Sequence, residues 1–276
     1  MFNYLKQSFR RKIARRVTKE YPANIDRLDL GDAGKIDFAR WDNPLAPPVE
    51  LTASTVQFFK QFIKEGDLAI DIGANIGDTT VPMALCAGSS GLTLGFDPNP
   101  YVFKILQKNA SLNPGRINLV PVPNAISADG EEFYFISSEA SFANGGISPT
   151  KDSKHGKFVF PEKIKGVNLK NFLTQNYGQW LNRFSLIKVD TEGYDKEIIK
   201  SASDLLSQYK PVIIAESFGK ATDEAKLELY DVIERLGYNI FYFEDFRIEA
   251  KVEKMTSRTD MTKWKNTINV YATPKK

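Results

Sequence analysis

From about residue 68 onward, short apolar runs alternate with longer amphipathic ones. The runs "LAIDIG", "LTLGFD", "INLVPVPNAIS", "SLIKVDT", "PVIIAES", "NIFYFED" and "INVYATP" are compact, branched-aliphatic or aromatic, and bounded by Gly, Pro, Asn or Asp. Runs of this kind predict strands buried on both faces. "PYVFKILQKNASLN", "YDKEIIKSASDLLSQY" and "EAKLELYDVIERLG" carry apolar residues at helical spacing. "VQFFKQFIKEGD" reads as a further helix ending near Gly66. Strand–helix alternation with nearly unbroken apolar strands predicts a mostly parallel α/β sheet covered on both sides. "EEFYFIS", after the turn-forming "ADG", reads as a short hairpin partner.

Two stretches depart from this alternation. In residues 1–20, Phe2, Leu5, Phe9, Ile13 and Val17 recur every three or four positions, among seven Lys/Arg and a single acid, Glu20. Such a helix either packs its apolar stripe on its own domain or lies on an anionic membrane surface; a targeting sequence is the third reading. A Pro-rich joint, "WDNPLAPPVE", follows, so residues 1–50 read as helix plus joint and 51–276 as the main domain. The second departure, residues 138–166, is polar and Gly-rich and too long for a plain connection. It reads as a substrate lid or as a disordered insert.

Composition removes whole classes of chemistry. Cys86 is the only cysteine and His155 the only histidine, so an internal disulfide, a cysteine-rich zinc site and His-rich metal chemistry are all excluded. No metal is expected. His155 sits in the polar insert, with nothing nearby in sequence to orient its ring. A net charge of +3 is weak evidence for a nucleic-acid partner. There is no apolar run of membrane-spanning length and no secretory leader pattern, which makes a cytoplasmic location the expectation, with peripheral membrane contact through residues 1–20 as a variant.

The loop after the first buried run carries the sharpest signal. A dinucleotide fingerprint has Gly at three fixed places, but here Asn75 stands at the middle one and Gly77 comes one residue early. Asp71 closes the strand two residues before Gly73. A carboxylate there works against a pyrophosphate and suits a ligand with positive charge, although Asp also serves turns and caps. Asp97, one βα unit later, stands where an acid accepts hydrogen bonds from ribose hydroxyls. A ribose plus a cationic group, without phosphate, points to S-adenosylmethionine.

"IDIGANIGDTT", "FDPNP", "NAIS" followed by "DGEEF", and "LIKVDTEGYDKEIIKSA" followed by "PVIIAES" together resemble the FkbM-type methyltransferases, over roughly residues 51–273. The resemblance implies the class I methyltransferase fold: a doubly wound, mostly parallel seven-stranded sheet with an antiparallel last hairpin. It implies methyl transfer from S-adenosylmethionine, mostly to oxygen on sugars and small natural products. It places Asp71, Gly73, Asn75 and Gly77 in the donor loop, Asp97 on the ribose, and Asn124 and Ala125 beside the adenine. Where family members usually carry "TLDD", this chain has "NLKN", Asn168–Asn171, and Asp97 stands where they more often have Glu.

On the acceptor side, alternation puts Lys188, Asp190 and Glu192 on one side of an extended strand end. Two carboxylates and an ammonium facing one crevice are costly unless used. One carboxylate would take the acceptor's hydroxyl proton and the other would orient the acceptor, or the trio is a salt-bridged strand end with Glu192 as a helix cap. Glu216, at the end of "IIAES", either binds a polar acceptor or pairs with Lys188. Ser141 and Asn144 in the insert are further acceptor candidates, and the aromatics of "FYFEDF" either stack a sugar or pack in the core. The alternatives to a sugar or small-molecule O-methyltransferase are an RNA methyltransferase using the basic first helix, a non-catalytic binding protein on the same fold, and a nicotinamide-dependent oxidoreductase.

Overall fold

The computed structural model describes residues 2–152, 156–191 and 193–275. Helix α1 (Phe2–Ala14) leads into a hairpin of β1 (Ala23–Asp29) and β2 (Lys35–Trp41), then helix α2 (Ala53–Lys60). The alternating region follows: β3 (Leu68–Ile72), α3 (Thr80–Ala87), β4 (Leu92–Phe96), α4 (Pro100–Ser111) and β5 (Leu119–Val122). A second set of strands comes next: β6 (Ala125–Ile126), β7 (Glu132–Ser137), β8 (Gly146–Ser148) and β9 (Phe158–Val167). The chain then returns to the main sheet through α5 (Leu169–Tyr177), β10 (Phe184–Val189), α6 (Asp195–Ser201), α7 (Ser203–Tyr209), β11 (Val212–Ser217), α8 (Asp223–Arg235), β12 (Tyr238–Phe243), β13 (Val252–Lys254) and β14 (Ile268–Pro274).

The main sheet has the order β13-β12-β14-β11-β10-β3-β4-β5. β5, β4, β3, β10 and β11 run parallel, while β14 lies antiparallel between β11 and β12. This is the doubly wound class I methyltransferase arrangement with its antiparallel last hairpin; the short edge strand β13 is an eighth, beyond the expected seven. Every residue of β3 and β4 is buried, as strands covered by helices on both faces must be. From β3 the chain winds outward through β4 and β5, then returns to build β10 and β11 on the other side. The carboxyl ends of β3 and β10 therefore flank the point where the winding reverses, the place for a ligand crevice.

Three differences from the sequence reading have local causes. Residues 1–50 hold the β1–β2 hairpin as well as a helix and a joint; β1 is mostly exposed and charged, so it lacks the apolar signature of a buried strand. The single run "INLVPVPNAIS" divides at Pro123 into β5 and β6, and β6 leaves the main sheet to pair with β9. Much of the stretch 138–166, read as a lid or a disordered insert, is strand: β8 and β9 flank β7 in a four-stranded sheet.

One face of the main sheet, with α2, α3 and α4, shares an apolar core with the hairpin residues Leu30, Ile36, Phe38 and Trp41. Each such fully buried large side chain contributes about 1.5–3 kcal/mol. Buried Asn109 of α4 ties this layer to the loop after β3. Its Nδ2 donates to the Ala39 carbonyl (3.0 Å) and the Ile76 carbonyl (2.7 Å), and its Oδ1 accepts from the Ala39 amide (2.7 Å).

Candidate active site

A cavity of about 480 Å3 opens at the carboxyl ends of β3, β4 and β10. Its wall on the β3–β4 side is built by the loop 73–79. The Gly73 and Ala74 amides both donate to the Phe96 carbonyl at 2.9 Å, folding the loop back over β4. Gly73 takes φ +79, and a Cβ there would lie 1.8 Å from the Asp190 carbonyl oxygen. Only glycine lets the loop after β3 pass so close to the end of β10. Asn75 also adopts a left-handed conformation, φ 48, and aims its amide at Asp97.

Asp97 is held from two sides. Its Oδ2 accepts from the Asn75 amide and its Oδ1 from the Asn99 amide, both at 2.8 Å. Burial pushes its carboxyl up to about 7, against the opposing effect of those two amides. Asn99 caps α4 through its side-chain oxygen and anchors to the Phe142 carbonyl through its amide nitrogen. Asp97 is thus fixed at the strand end with one edge toward the cavity.

At the cavity floor, Lys188 lies between two carboxylates. Its Nζ is 3.1 Å from Asp71 Oδ1 and 3.2 Å from Asp190 Oδ2, and β3 and β10 pair in register at Lys188 and Asp71. Thr79 and Thr80 hydroxyls donate to Asp71 Oδ2 at 2.8 and 2.7 Å. Although burial alone would favour neutral Lys188, Asp190, Asp71 and Asp78 hold its ammonium above the ordinary lysine value. Burial raises Asp78 to about 6 despite Lys188, and Asp71 and Asp190 add to the rise.

The site residues read from sequence divide into two groups. Gly73, Asn75, Asp97, Asn124, Ala125, Asn144, Lys188 and Asp190 line the one cavity. Asp71 does not: it is fully buried beneath the floor, where its charge meets Lys188 rather than a ligand. Gly77 is likewise internal, packed on Leu106. Ser141 is buried, its carbonyl accepting from Asn43. Glu216 lines a separate small pocket with Asp195 and Lys226, and the ion pairs of Lys188 run to Asp71 and Asp190 instead. Glu192 and His155 lie outside the described residues. No group of three potential metal-ligating side chains occurs among the described residues.

Several residues that line or brace the cavity carry little signal in the sequence. Asp78 lines the cavity, and the "GDTT" that continues the glycine loop was its only signal. Asp195 is buried and organises the loop carrying Asp190: its Oδ2 accepts from the Thr191 amide and hydroxyl and the Gly193 amide, and its Oδ1 from the Glu216 amide. Burial, reinforced by Asp190, raises Asp195 to about 6 against those hydrogen bonds. Leu45, Pro47, Phe135, Tyr194 and Phe246 supply apolar wall. Of the aromatics in "FYFEDF", Phe243 packs against Phe58 at 5.0 Å and Tyr242 against Trp264 at 4.3 Å, while Phe246 reaches the cavity.

The methyltransferase FkbM domain matches residues 71–240, which is most of the alternating region. A hexuronic acid methyltransferase, AglP, from Haloferax volcanii is 28% identical over 171 residues, covering 59% of this chain and 64% of its own length. The chain thus spans just under two thirds of that relative. Among solved structures, Trm5b from Pyrococcus abyssi superposes with a TM-score of 0.47 at 14% identity, over 92% of this chain and 56% of that one. An FkbM methyltransferase from Methylobacillus flagellatus gives 0.44 at 13% identity, over 79% of this chain and 50% of that one. With its glycine loop, Asp97 and Asp190 all inside the matched segment, the chain belongs to the FkbM methyltransferase family.

Proposed function

We propose that the chain transfers a methyl group from S-adenosylmethionine to a hydroxyl oxygen of a sugar or sugar-like small molecule. The observation that carries this reading is Asp97, a carboxylate pinned by two backbone amides on one wall of a cavity whose other wall bears Asp190. The residues fit the donor: Asp97 offers acceptor oxygens for ribose hydroxyls, Asn124 and Ala125 lie along the neighbouring wall, and Gly73 leaves open backbone where a side chain would clash. When bound, the donor supplies a methyl group already activated by its sulfonium.

The chain's own contribution is alignment and proton removal. Asp190 accepts the acceptor's hydroxyl proton, and Lys188 below keeps its carboxylate in place. Asp195 holds the loop on which Asp190 stands. Tyr194 and Phe246 provide flat apolar surface for a sugar ring. The charged lining among the described residues is Asp78, Asp97 and Asp190 against Lys188. Asp190 favours a hydroxyl over a carboxylate as the attacking group, because a hydroxyl must lose a proton on methylation and a carboxylate has none to give. AglP, a hexuronic acid methyltransferase, supports a sugar acceptor.

The test is transfer of labelled methyl from S-adenosylmethionine to a panel of methyl glycosides of hexoses and hexuronic acids, with product mapping. Methyl ethers formed by the wild type and lost in Asp190→Asn support the reading. Ester formation on a hexuronate carboxyl, or full activity in Asp190→Asn, contradicts it.

A further inference from the structure

Helix α1 touches the body of the protein mainly through its last turns. Ala14 is fully buried, Arg10 donates to the carboxylate and the carbonyl of Asp42 at 2.8 and 3.2 Å, and Arg11 Nε donates to the Pro44 carbonyl at 3.3 Å. Just beyond the helix, the Arg15 carbonyl accepts from the Ala140 amide at 3.4 Å. Leu5 stands nine residues before Ala14, two and a half helical turns, so docking through Ala14 turns Leu5 outward. Tyr4, Leu5, Phe9 and Val17 are 76%, 60%, 65% and 50% exposed, so Leu5, Phe9 and Val17 of the apolar stripe are left uncovered by the described residues. Around it, Lys6, Arg11, Lys12, Arg15, Arg16 and Lys19 are all exposed. Of the seven cations in residues 1–20, Arg10 is the one with a salt bridge among the described residues.

We propose that α1 and the basic segment after it seat the protein on an anionic lipid surface. The chemistry selects this occupant. Aliphatic Leu5 and Val17 gain nothing from a phosphate backbone, which disfavours a nucleic acid. A second copy of this chain would bring the same cations against these ones. A bilayer with anionic headgroups satisfies both features, taking apolar side chains below the headgroups and cations among them. The attachment points give the seat a direction. Arg11 grips Pro44 and Arg15 grips Ala140, next to Leu45, Pro47 and Ala143 on the cavity wall. A membrane under α1 therefore lies near the mouth of the cavity.

The experiment is co-sedimentation of the full chain with phosphatidylcholine vesicles and with vesicles of equal parts phosphatidylcholine and phosphatidylglycerol, at low and raised salt; it reads no methyl transfer and stands apart from the proposed activity. Binding is expected only to the phosphatidylglycerol vesicles, weakening with salt. Each cation removed should weaken it about fivefold. Leu5→Glu/Phe9→Glu and Lys12→Glu/Arg16→Glu should each lower the affinity more than tenfold or so, with melting temperature and S-adenosylhomocysteine binding unchanged because these side chains are exposed. Wild-type protein left in the supernatant at low salt overturns the proposal, as does binding indifferent to both variants. So does a dimer in light scattering that Leu5→Glu/Phe9→Glu dissolves without any vesicle binding, or RNA binding that outcompetes the vesicles.

Discussion

Replacing Lys188 by Met removes the one cation that, among the described residues, lines the cavity and pairs with Asp71. Lys188 and Asp71 are 2% and 0% exposed, and their charged atoms are 3.1 Å apart. At that separation and an effective dielectric near 20, the attraction is about 5 kcal/mol. Methionine keeps most of the volume, so packing loss is small and the cost is electrostatic. Asp71 would retain the Thr79 and Thr80 hydroxyls, but its charge would stand buried with Asp78 and Asp190 nearby. Breaking a buried pair from one side costs about 3–5 kcal/mol, and that is the expected loss in urea unfolding, seen as a lower midpoint at unchanged slope. The double variant Asp71→Asn/Lys188→Met should recover at least about 1 kcal/mol of this loss, since the fully buried Asp71 charge is gone and Asp190, the other carboxylate paired with Lys188, is 35% exposed and keeps access to water. A loss below about 1 kcal/mol in Lys188→Met, or a double variant that fares worse than either single one, would refute the reasoning.

Other outcomes follow from the same geometry. Gly73→Ala places a methyl 1.8 Å from the Asp190 carbonyl and so must separate the two cavity walls; calorimetry should find S-adenosylhomocysteine binding lost, with a lowered melting temperature. Asp190→Asn should spare donor binding while lowering kcat by about 10²–10⁴-fold, read by single-turnover methyl transfer. Asp78, Asp97 and Asp195, raised to about 6, 7 and 6, hold protons in the folded protein that the unfolded chain, with carboxyls near 3.9, has released. Stability of the donor-free protein should therefore fall as pH rises through about 4 to 7, measured by thermal melts. Donor affinity should move the other way, weakening as pH drops below about 7, because the ribose contact proposed for Asp97 needs its carboxylate.

The parallel strands were legible because burial on both faces leaves an apolar run bounded by turn residues, as "LAIDIG" and "PVIIAES" show. That Asp97, Asp190, Gly73 and Asn75 meet at one cavity was legible because crevices in this architecture open at strand ends. What stayed hidden depends on contacts distant in sequence. Asp71 has the look of a ligand residue until β10 brings Lys188 alongside it, 117 positions away. Asp195 reads as an ordinary acid in the first turn of α6, and only the folded loop turns it into an acceptor of four hydrogen bonds. The β1–β2 hairpin was hidden because its exposed strand is charged rather than apolar. The stripe of α1 was visible, but whether it was covered was not, since periodicity identifies a face and not its partner.

Under the proposed function, the cavity at the ends of β3, β4 and β10 binds a methyl donor. The direct measurement is calorimetric titration of the full chain with S-adenosylhomocysteine beside NADH, on wild type and Asp97→Ala. Micromolar binding of S-adenosylhomocysteine alone, lost in Asp97→Ala, is the expected result. Binding of NADH instead, or of neither ligand, or affinity untouched by Asp97→Ala, would contradict it.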